Sequence, residues 1–245
     1  MRAMRWFLLT LAIAGCASAG KGNSIIGGLT DAGVRGDGSD NNFPLPDASL
    51  IDAPPQQVTM TQTVSNAIAR NNSFACIVNS SGIAFQNSYY RVFSPVDYSL
   101  TSTLHITQVI FGIESAIAGT GGMQPATVKL GTYTGTTGAT TLDLTKIQPI
   151  TSANLQIADG EGTTMTVPIT ADLAPTANLI VELAIPDGQT AGNSFFIGTN
   201  TGGERRPGYT RAVDCGLTNP TTMKSVASMN GFGETDIVLT VTGTM

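Results

Sequence analysis

From Val58 to the carboxyl terminus, apolar and polar residues alternate in short runs, and this period of two constrains the fold more than any other feature. Alternation places successive side chains on opposite faces of an extended strand, so each run indicates a strand that is buried on one face only. In one such run, Leu179, Val181 and Leu183 share a face while Glu182 lies on the other. The pattern predicts sheets and contains no helix of useful length.

Nine runs of this kind are separated by turn residues. They are Val58–Val64, Ser88–Phe93, Leu104–Ile113, Ala126–Tyr133, Thr164–Ile169, Leu179–Ile185, Ser194–Gly198, Tyr209–Cys215 and Asp236–Val241. Because no crossover helices lie between them, a parallel α/β fold is excluded. Short strands at this spacing predict an all-β fold, an antiparallel β-sandwich of about nine strands with a jelly-roll-like arrangement.

The amino terminus has the form of a lipoprotein signal peptide. Arg2 and Arg5 precede a short apolar stretch, and the run Ile13-Ala14-Gly15-Cys16 reads as a lipobox. The apolar stretch is far shorter than the ~20 residues of a spanning helix. We therefore expect residues 1–15 to be removed and Cys16 to carry lipid. The alternative is an ordinary secretory signal with an incidental cysteine.

Residues 16–57 are rich in Gly, Asp, Asn, Ser and Pro, and their few apolar residues form no stripe of either period. This composition predicts a lipidated cysteine followed by a flexible tether, with the folded domain at 58–245. Within the tether, Asp37–Asn42 resembles the start of a calcium loop. It departs from that motif at Asn42, where Gly is required, and at Ala48, where Glu is required.

The charge of the chain excludes some classes of partner. The chain is 41% apolar and 12% charged, which is typical of a globular domain, and loss of Arg2 and Arg5 takes its formal charge from −5 to −7. An acidic chain without a basic run is a poor partner for nucleic acid or anionic lipid, so we expect the protein to associate with a membrane only through its lipid anchor.

The residues after Cys16 favour one membrane over the other. In a host with two membranes, Ala17 and Ser18 lack the aspartate that retains lipoproteins in the inner membrane, which favours the outer membrane or cell surface.

Cysteine usage predicts one disulfide. With Cys16 assigned to lipid, Cys76 and Cys215 remain as a pair in an oxidising compartment, and we expect them to be bonded. Two buried free thiols are the alternative. A single histidine and the lack of a close cysteine pair disfavour zinc, so no metal ligand is assigned.

Candidate catalytic residues are few. His105 is the only histidine, it lies inside a predicted strand, and no Gly-x-Ser-x-Gly elbow accompanies it, so a structural or surface role is favoured. A hydrolase would have to use Asp159, Glu161 or Asp187, three acids in turns that solvation already explains. We assign no catalytic residue and no cofactor, and structural calcium bound by turn carboxylates stays open.

The densest binding chemistry follows a Gly-rich loop, where Arg205, Arg206, Tyr209 and Arg211 predict a ligand-binding rim. The alternative is that the two adjacent arginines are a solvated loop tip and that Tyr209 packs in the core. Trp6 leaves with the signal peptide, so tyrosines would have to supply any stacking surface. These residues favour a non-enzymatic domain that binds an extracellular or envelope ligand, with polysaccharide the first candidate and a protein partner the second. A structural envelope protein and a carboxylate hydrolase are the remaining alternatives.

Four phrases together resemble an uncharacterised secreted β-sandwich module of bacteria. They are Asn87-Ser88-Tyr89-Tyr90-Arg91-Val92-Phe93, Val109-Ile110-Phe111-Gly112-Ile113-Glu114, Gly192-Asn193-Ser194-Phe195-Phe196-Ile197-Gly198 and Ala212-Val213-Asp214-Cys215-Gly216. The likeness covers about Phe74 to Gly243, and the tether resembles those of myxobacterial lipoproteins. The resemblance implies a sandwich fold and an accessory or binding role, and it brings no catalytic residues with it.

Overall fold

The computed structural model describes residues 54–245. The predicted signal peptide, Cys16, most of the tether and Asp37–Asn42 lie outside the described residues. Among residues 54–245, no helix has the length and apolarity needed to cross a bilayer.

Eight strands build the two main sheets. They are β1 Gln57–Thr61, β2 Asn87–Phe93, β3 Leu104–Ile117, β4 Gln124–Tyr133, β5 Ile147–Ile157, β6 Gly160–Leu173, β7 Asn178–Ile185 and, last in the chain, β13 Leu239–Thr244. An insertion between β7 and β13 carries the remaining elements. They are β8 Ser194–Ile197, β9 Thr199–Asn200, β10 Gly208–Ala212, β11 Leu217–Thr222, helix α1 Met223–Met229 and β12 Asp236–Ile237.

The eight main strands pair as one long hairpin folded over on itself. β1 pairs with β13, β2 with β7, β3 with β6 and β4 with β5, all antiparallel. Two further antiparallel pairs, β13 with β3 and β7 with β4, join these into sheets of order β1-β13-β3-β6 and β2-β7-β4-β5. This is the strand order of a jelly roll, and it confirms the predicted all-β antiparallel sandwich.

The insertion adds strands to both main sheets. β10 pairs with β2 and carries β11 beyond it, while β8 pairs with the second half of β3. β9 and β12 form a small two-stranded ribbon. The insertion therefore adds new strand edges, a turn and a helix beside the framework, and these elements supply much of the wall of the site described below.

The main core lies between the two sheets. Leu104, Val109 and Phe111 of the first sheet and Val181 and Leu183 of the second are completely buried in it. Their alternation along each strand puts apolar side chains inward, as the period of two predicts. Removing this apolar surface from water is the principal stabilising contribution to the fold.

A second, smaller core covers the outer face of the second sheet. It consists of Tyr90, Val92, Tyr133, Leu142, Ile180 and Tyr209. The loop between β4 and β5 packs over this face, with Leu144 and Ile147 against the cluster. Because of this covering, β2 is buried at every position instead of at every second one.

Several elements differ from the sequence prediction. β5 was not expected because Pro149 and several small polar residues hide its alternation, and a bulge opposite Leu130 and Gly131 shifts its phase. β11 has the sequence Leu-Thr-Asn-Pro-Thr-Thr, and so lacks an apolar face to reveal it. Helix α1 has seven residues, too few to show a helical period. The predicted run Asp236–Val241 divides into β12 and β13.

Gly112 and Gly198 allow β3 and the end of β8 to come unusually close. A Cβ atom on Gly198 would lie 2.6 Å from the carbonyl carbon of Gly112. The Gly198 N–H donates to the Gly112 carbonyl at 2.7 Å, and the Val238 N–H donates to the Gly198 carbonyl at 2.9 Å. Only glycine fits where these two backbones approach so closely. The approach fixes the position at which the insertion contacts the framework.

Candidate functional site

The Cys76–Cys215 disulfide ties the loop before β2 to the turn after β10. The two Cα atoms are 5.8 Å apart and the sequence separation is 139, so the predicted bond is confirmed. The Asn87 side chain anchors the same loop. Its Oδ1 accepts the Cys76 N–H at 2.8 Å, and its Nδ2 donates to the Phe85 carbonyl at 2.8 Å. Two segments far apart in sequence are thereby held as neighbouring walls.

A groove of about 570 Å³ lies beside this disulfide, and we call it the apolar groove. Its walls include Phe74, Cys76, Cys215, Leu217, Met229 and Phe232. The rings of Phe74 and Phe232 are tilted against each other with centroids 5.7 Å apart. At the rim, Met229 is 70% exposed and Phe232 is 38% exposed. Large apolar side chains this accessible are characteristic of binding surfaces.

A second cavity of about 450 Å³, the polar pocket, continues the apolar groove. Both cavities share Ser73, Phe196 and Phe232. Charged side chains distinguish the polar pocket, which is lined by Arg70, Asn71, Glu114, Ser115 and Glu161. The combined site therefore has one apolar end and one charged end.

The carboxylates of the polar pocket have different partners. Glu114 is half-buried, and its Oε2 accepts the Asn72 N–H at 3.2 Å. Glu161 is exposed and its Oε2 lies 3.5 Å from Nη2 of Arg70, which is also exposed. An exposed pair at this distance is weak and open to exchange with a ligand.

Ser73 lies where the two cavities meet. It is 7% exposed, and its hydroxyl has no hydrogen-bond partner among the described residues. A buried hydroxyl without a partner costs free energy, and such groups are few in folded proteins. An unsatisfied hydroxyl in the wall of a cavity is a hydrogen-bonding group that water or a ligand in the cavity can satisfy.

Local sequence explains how these side chains are placed. In β8 the two phenylalanines alternate, so that Phe195 is buried in the main core while Phe196 lines the groove. Asn71 has a φ of 55°, a left-handed conformation that Asn tolerates better than most residues. Just beyond it, the Asn72 Nδ2 donates to Thr199 Oγ1 at 3.0 Å, which anchors the loop that carries Ser73.

The arginine and tyrosine rim predicted from sequence is not part of this site. Tyr209 is 1% exposed and packs in the second core, so it presents no ring face to a ligand, and the expected stacking role of Tyr209 is wrong. The Arg206 guanidinium makes two hydrogen bonds to Asp97, at 2.9 and 3.0 Å. The Arg211 Nε donates to the Thr218 carbonyl at 2.9 Å. Arg205 is exposed and, with Arg206, lines a separate hollow of about 650 Å³.

A buried charge cluster lies beneath that hollow. Arg91 has no exposed surface, and its Nη1 lies 2.8 Å from Glu204 Oε2 and donates to the Arg206 carbonyl at 2.7 Å. The pKa of Glu204 is raised to about 7, mainly by burial and also by Asp236, while Arg91 opposes the rise. Burial lowers the pKa of Arg91 from its ordinary value. The cluster fixes the backbone of the loop before β10, and nothing in the local sequence singles it out.

The candidate catalytic groups lie apart from one another. His105 Nδ1 is 2.7 Å from Asp172 Oδ1, across the pair of β3 and β6, and both side chains are exposed. Asp159 accepts the N–H of Ala118, which is 41 residues away in sequence, and Asp187 accepts the N–H of Gln189 within its own turn. Of the three acids expected to converge in a hydrolase, only Glu161 lines the combined site.

Across residues 54–245, no three His, Cys, Asp or Glu side chains come together as a metal-binding group. Structural calcium bound by turn carboxylates and backbone carbonyls stays a prediction.

Sequence reasoning missed Arg70, Ser73, Phe74, Glu114 and Phe232, which come from separated segments. The predicted disulfide is a signal for Ser73 and Phe74 alone, which lie close to Cys76 in sequence. Its two cysteines lie in the walls of the groove, so the residues flanking each cysteine are the natural candidates for lining it.

No protein-family model matches this chain and no curated protein matches it, so the resemblance to a secreted bacterial module stays a prediction. Among solved structures, the chain is similar to the cysteine protease and lectin-like domains of Cwp84, a surface-layer-associated protein of Clostridium difficile, with a TM-score of 0.43 and 10% identity over 66% of this chain. It is also similar to the clostridial cysteine protease Cwp84 after propeptide cleavage, with a TM-score of 0.47 and 10% identity over 77% of this chain. The chain spans 33% and 40% of the lengths of those two chains. Likenesses this distant carry no functional argument.

Proposed function

We propose that this protein is a non-enzymatic binding protein of the cell envelope, held outside the cytoplasm by lipid on Cys16, and that it binds a polysaccharide in the apolar groove and polar pocket. The observation that carries the proposal is the combination of Phe74, Phe196 and Phe232 with charged and amide side chains in one continuous site. Aromatic rings contact the apolar C–H faces of sugars, and the neighbouring polar groups direct hydrogen bonds to hydroxyls.

The rigidity of the site supports a binding role. One wall belongs to the sheet framework, and the other is fixed by the Cys76–Cys215 disulfide and by the hydrogen bonds of Asn87. A site held in place before the ligand arrives loses little conformational entropy on binding, so affinity does not need a large buried area.

The test is retention of the full chain on insoluble and arrayed polysaccharides, including preparations from the envelope of its host. We expect retention on one class of glycan, and loss of that retention in Phe232→Ala and Phe196→Ala, which remove rings from the groove. Val96→Ala is the control, because Val96 is exposed and lies outside both cavities. Equal retention of all four proteins would remove the groove from the proposal.

The same assay distinguishes binding from hydrolysis. Release of reducing ends from the retained glycan, lost in Glu161→Gln, would establish a carboxylate hydrolase instead. Retention without release of product is the outcome that the binding proposal requires.

A protein partner is the second candidate, and Met229 favours it. This side chain is highly exposed at the rim, close to Phe232 in sequence, and flexible apolar side chains of this kind suit protein contacts. Cross-linking in intact cells tests this candidate. A defined envelope protein that is cross-linked to the native chain and lost in Met229→Ala, with no glycan retained, would replace polysaccharide as the ligand.

A further inference from the structure

We infer that the polar pocket binds the ammonium group of an amino sugar, while the apolar groove holds the sugar chain that carries it. The inference rests on the proposed function, since it names the class of polysaccharide for the same site. It is argued from the charges lining the pocket, from the unsatisfied hydroxyl of Ser73 and from the position of both beside aromatic rings.

The charges that line the pocket favour a cation. Glu114 and Glu161 contribute two carboxylates, and Arg70 contributes the single guanidinium, so the lining carries a net negative charge. Arg70 is exposed and lies 3.5 Å from the exposed Glu161, and among the described residues Glu114 forms no ion pair with it. A carboxylate that is half-buried attracts a cation more strongly than an exposed one, because less water screens it.

Glu114 also has a free acceptor. Its Oε2 accepts the Asn72 N–H at 3.2 Å, and its Oε1 has no hydrogen bond from any residue in the described range. An ammonium group carries several donors and no acceptor. Its hydrogen bond to a carboxylate is charge-assisted, and so stronger than a hydrogen bond between neutral groups.

Ser73 is the second, independent observation. Its hydroxyl is buried in the wall shared by the two cavities and has no partner in residues 54–245. The hydroxyl oxygen accepts a hydrogen bond from an ammonium group as readily as from water. Glu114 and Ser73 thus line one pocket, and each contributes an acceptor that has no partner among the described residues.

The aromatic neighbours select a sugar. Phe196 and Phe232 line both cavities, so a ligand that places its ammonium group in the polar pocket contacts these rings with the rest of the molecule. An amino sugar presents an apolar C–H face and an ammonium group within one ring. A fully acetylated sugar has the same face but a neutral amide, which cannot form the charge-assisted bond.

The test compares oligomers of β-1,4-linked glucosamine and N-acetylglucosamine of the same length. Their binding to the full chain is measured by calorimetry at mildly acidic pH, where the amine is protonated. We expect the glucosamine oligomer to bind about tenfold more tightly, the difference that one hydrogen bond to a charged group supplies.

Variants assign that preference to residues. Glu114→Gln keeps an acceptor for the Asn72 N–H and removes the charge, and we expect it to abolish the preference for glucosamine. Asp187→Asn changes the net charge by the same amount at a turn outside both cavities, and we expect it to keep the preference. Ser73→Ala should weaken glucosamine binding while leaving the protein as stable as before or more so, because it removes an unsatisfied buried group.

The outcomes separate this inference from the proposed function. Equal binding of the two oligomers, or an unchanged preference in Glu114→Gln, overturns the ammonium site. If Phe232→Ala still abolishes binding in that case, the polysaccharide site itself stands. Binding of a lysine-containing peptide in place of either oligomer overturns the inference in favour of a protein ligand.

Discussion

Arg91 and Glu204 form an ion pair of 2.8 Å in which the guanidinium has no exposed surface. The two residues come from β2 and from the loop before β10, and the same guanidinium also donates to the backbone carbonyls of Arg206 and Ile237. This pair joins the insertion to the jelly-roll framework. Its charges therefore affect both the stability of the domain and its dependence on pH.

We predict that Arg91→Met destabilises the domain by about 3–5 kcal/mol, because Glu204 then stays buried without its cation. Denaturant unfolding measures the change. The double variant Arg91→Met/Glu204→Gln should recover part of the loss, since no unpaired charge is left. No recovery in the double variant would show that packing of Arg91, rather than its charge, holds the loop.

Stability should fall between pH 4.5 and about 7 because of Glu204. Its pKa in the folded protein is about 7, against an ordinary value of 4.5, so within this window the folded state holds a proton that the unfolded state has lost. Glu204 contributes on the order of 3 kcal/mol to the free energy of unfolding in this way. The contribution is present in full below pH 4.5 and is lost as pH rises through about 7. Thermal unfolding of the native chain and Glu204→Gln across this range measures it. Parallel curves for the two proteins would contradict the prediction.

The disulfide should contribute on the order of 5 kcal/mol, because it closes a long loop with a sequence separation of 139 and so restricts the unfolded chain. Cys76→Ala/Cys215→Ala should unfold at correspondingly lower denaturant concentration. It should also bind ligand more weakly, since both cysteines line the apolar groove. Mass spectrometry after alkylation without reduction checks the bond itself, and two alkylated thiols in the native protein would contradict it.

Tyr209 and Phe232 should respond differently to truncation. Tyr209→Ala removes a ring from the second core and should cost about 3–5 kcal/mol. Phe232→Ala removes a rim side chain and should cost about 1 kcal/mol or less. Thermal unfolding compares the two variants. A variant that keeps its stability is the one in which a loss of ligand binding can be assigned to the site and not to unfolding.

Lipid attachment is tested at Cys16. We expect Cys16→Ser to move the protein from the membrane fraction to the soluble fraction, because a lipidated amino terminus with two acylated positions is a durable anchor and the sequence predicts no other. Fractionation with immunodetection of the full chain measures this. Membrane association that persists in Cys16→Ser would point to a different mode of attachment.

Much of the framework was predictable because it depends on short-range alternation. The run that contains Leu179, Val181 and Leu183 became β7 almost to the residue, and the predicted run at β2 is equally close, while β3 and β4 each extend beyond their predicted runs at one end. β5 escaped because Pro149 and a bulge disturb its period. The disulfide was predictable by counting cysteines once Cys16 was set aside.

The candidate site was not predictable in the same way. The rim expected at Arg205, Arg206, Tyr209 and Arg211 is a cluster in sequence, but the second core buries Tyr209, and Asp97 and Thr218 bind two of the arginines. Burial by a distant loop leaves no local signal, so the sequence leaves both an exposed and a buried Tyr209 open, and the packing of the second core selects the buried one.

The class of fold, the positions of most strands and the pairing of Cys76 with Cys215 follow from the chain read in order, since alternation and residue counts are local properties. The folded protein adds that Ser73, Glu114 and Phe232 line one continuous site and that Arg91 is buried against Glu204. Those residues come from segments that strand pairing and a long-range disulfide bring together. Contacts of that kind depend on which strands pair across the chain, and alternation within one strand does not name its partner.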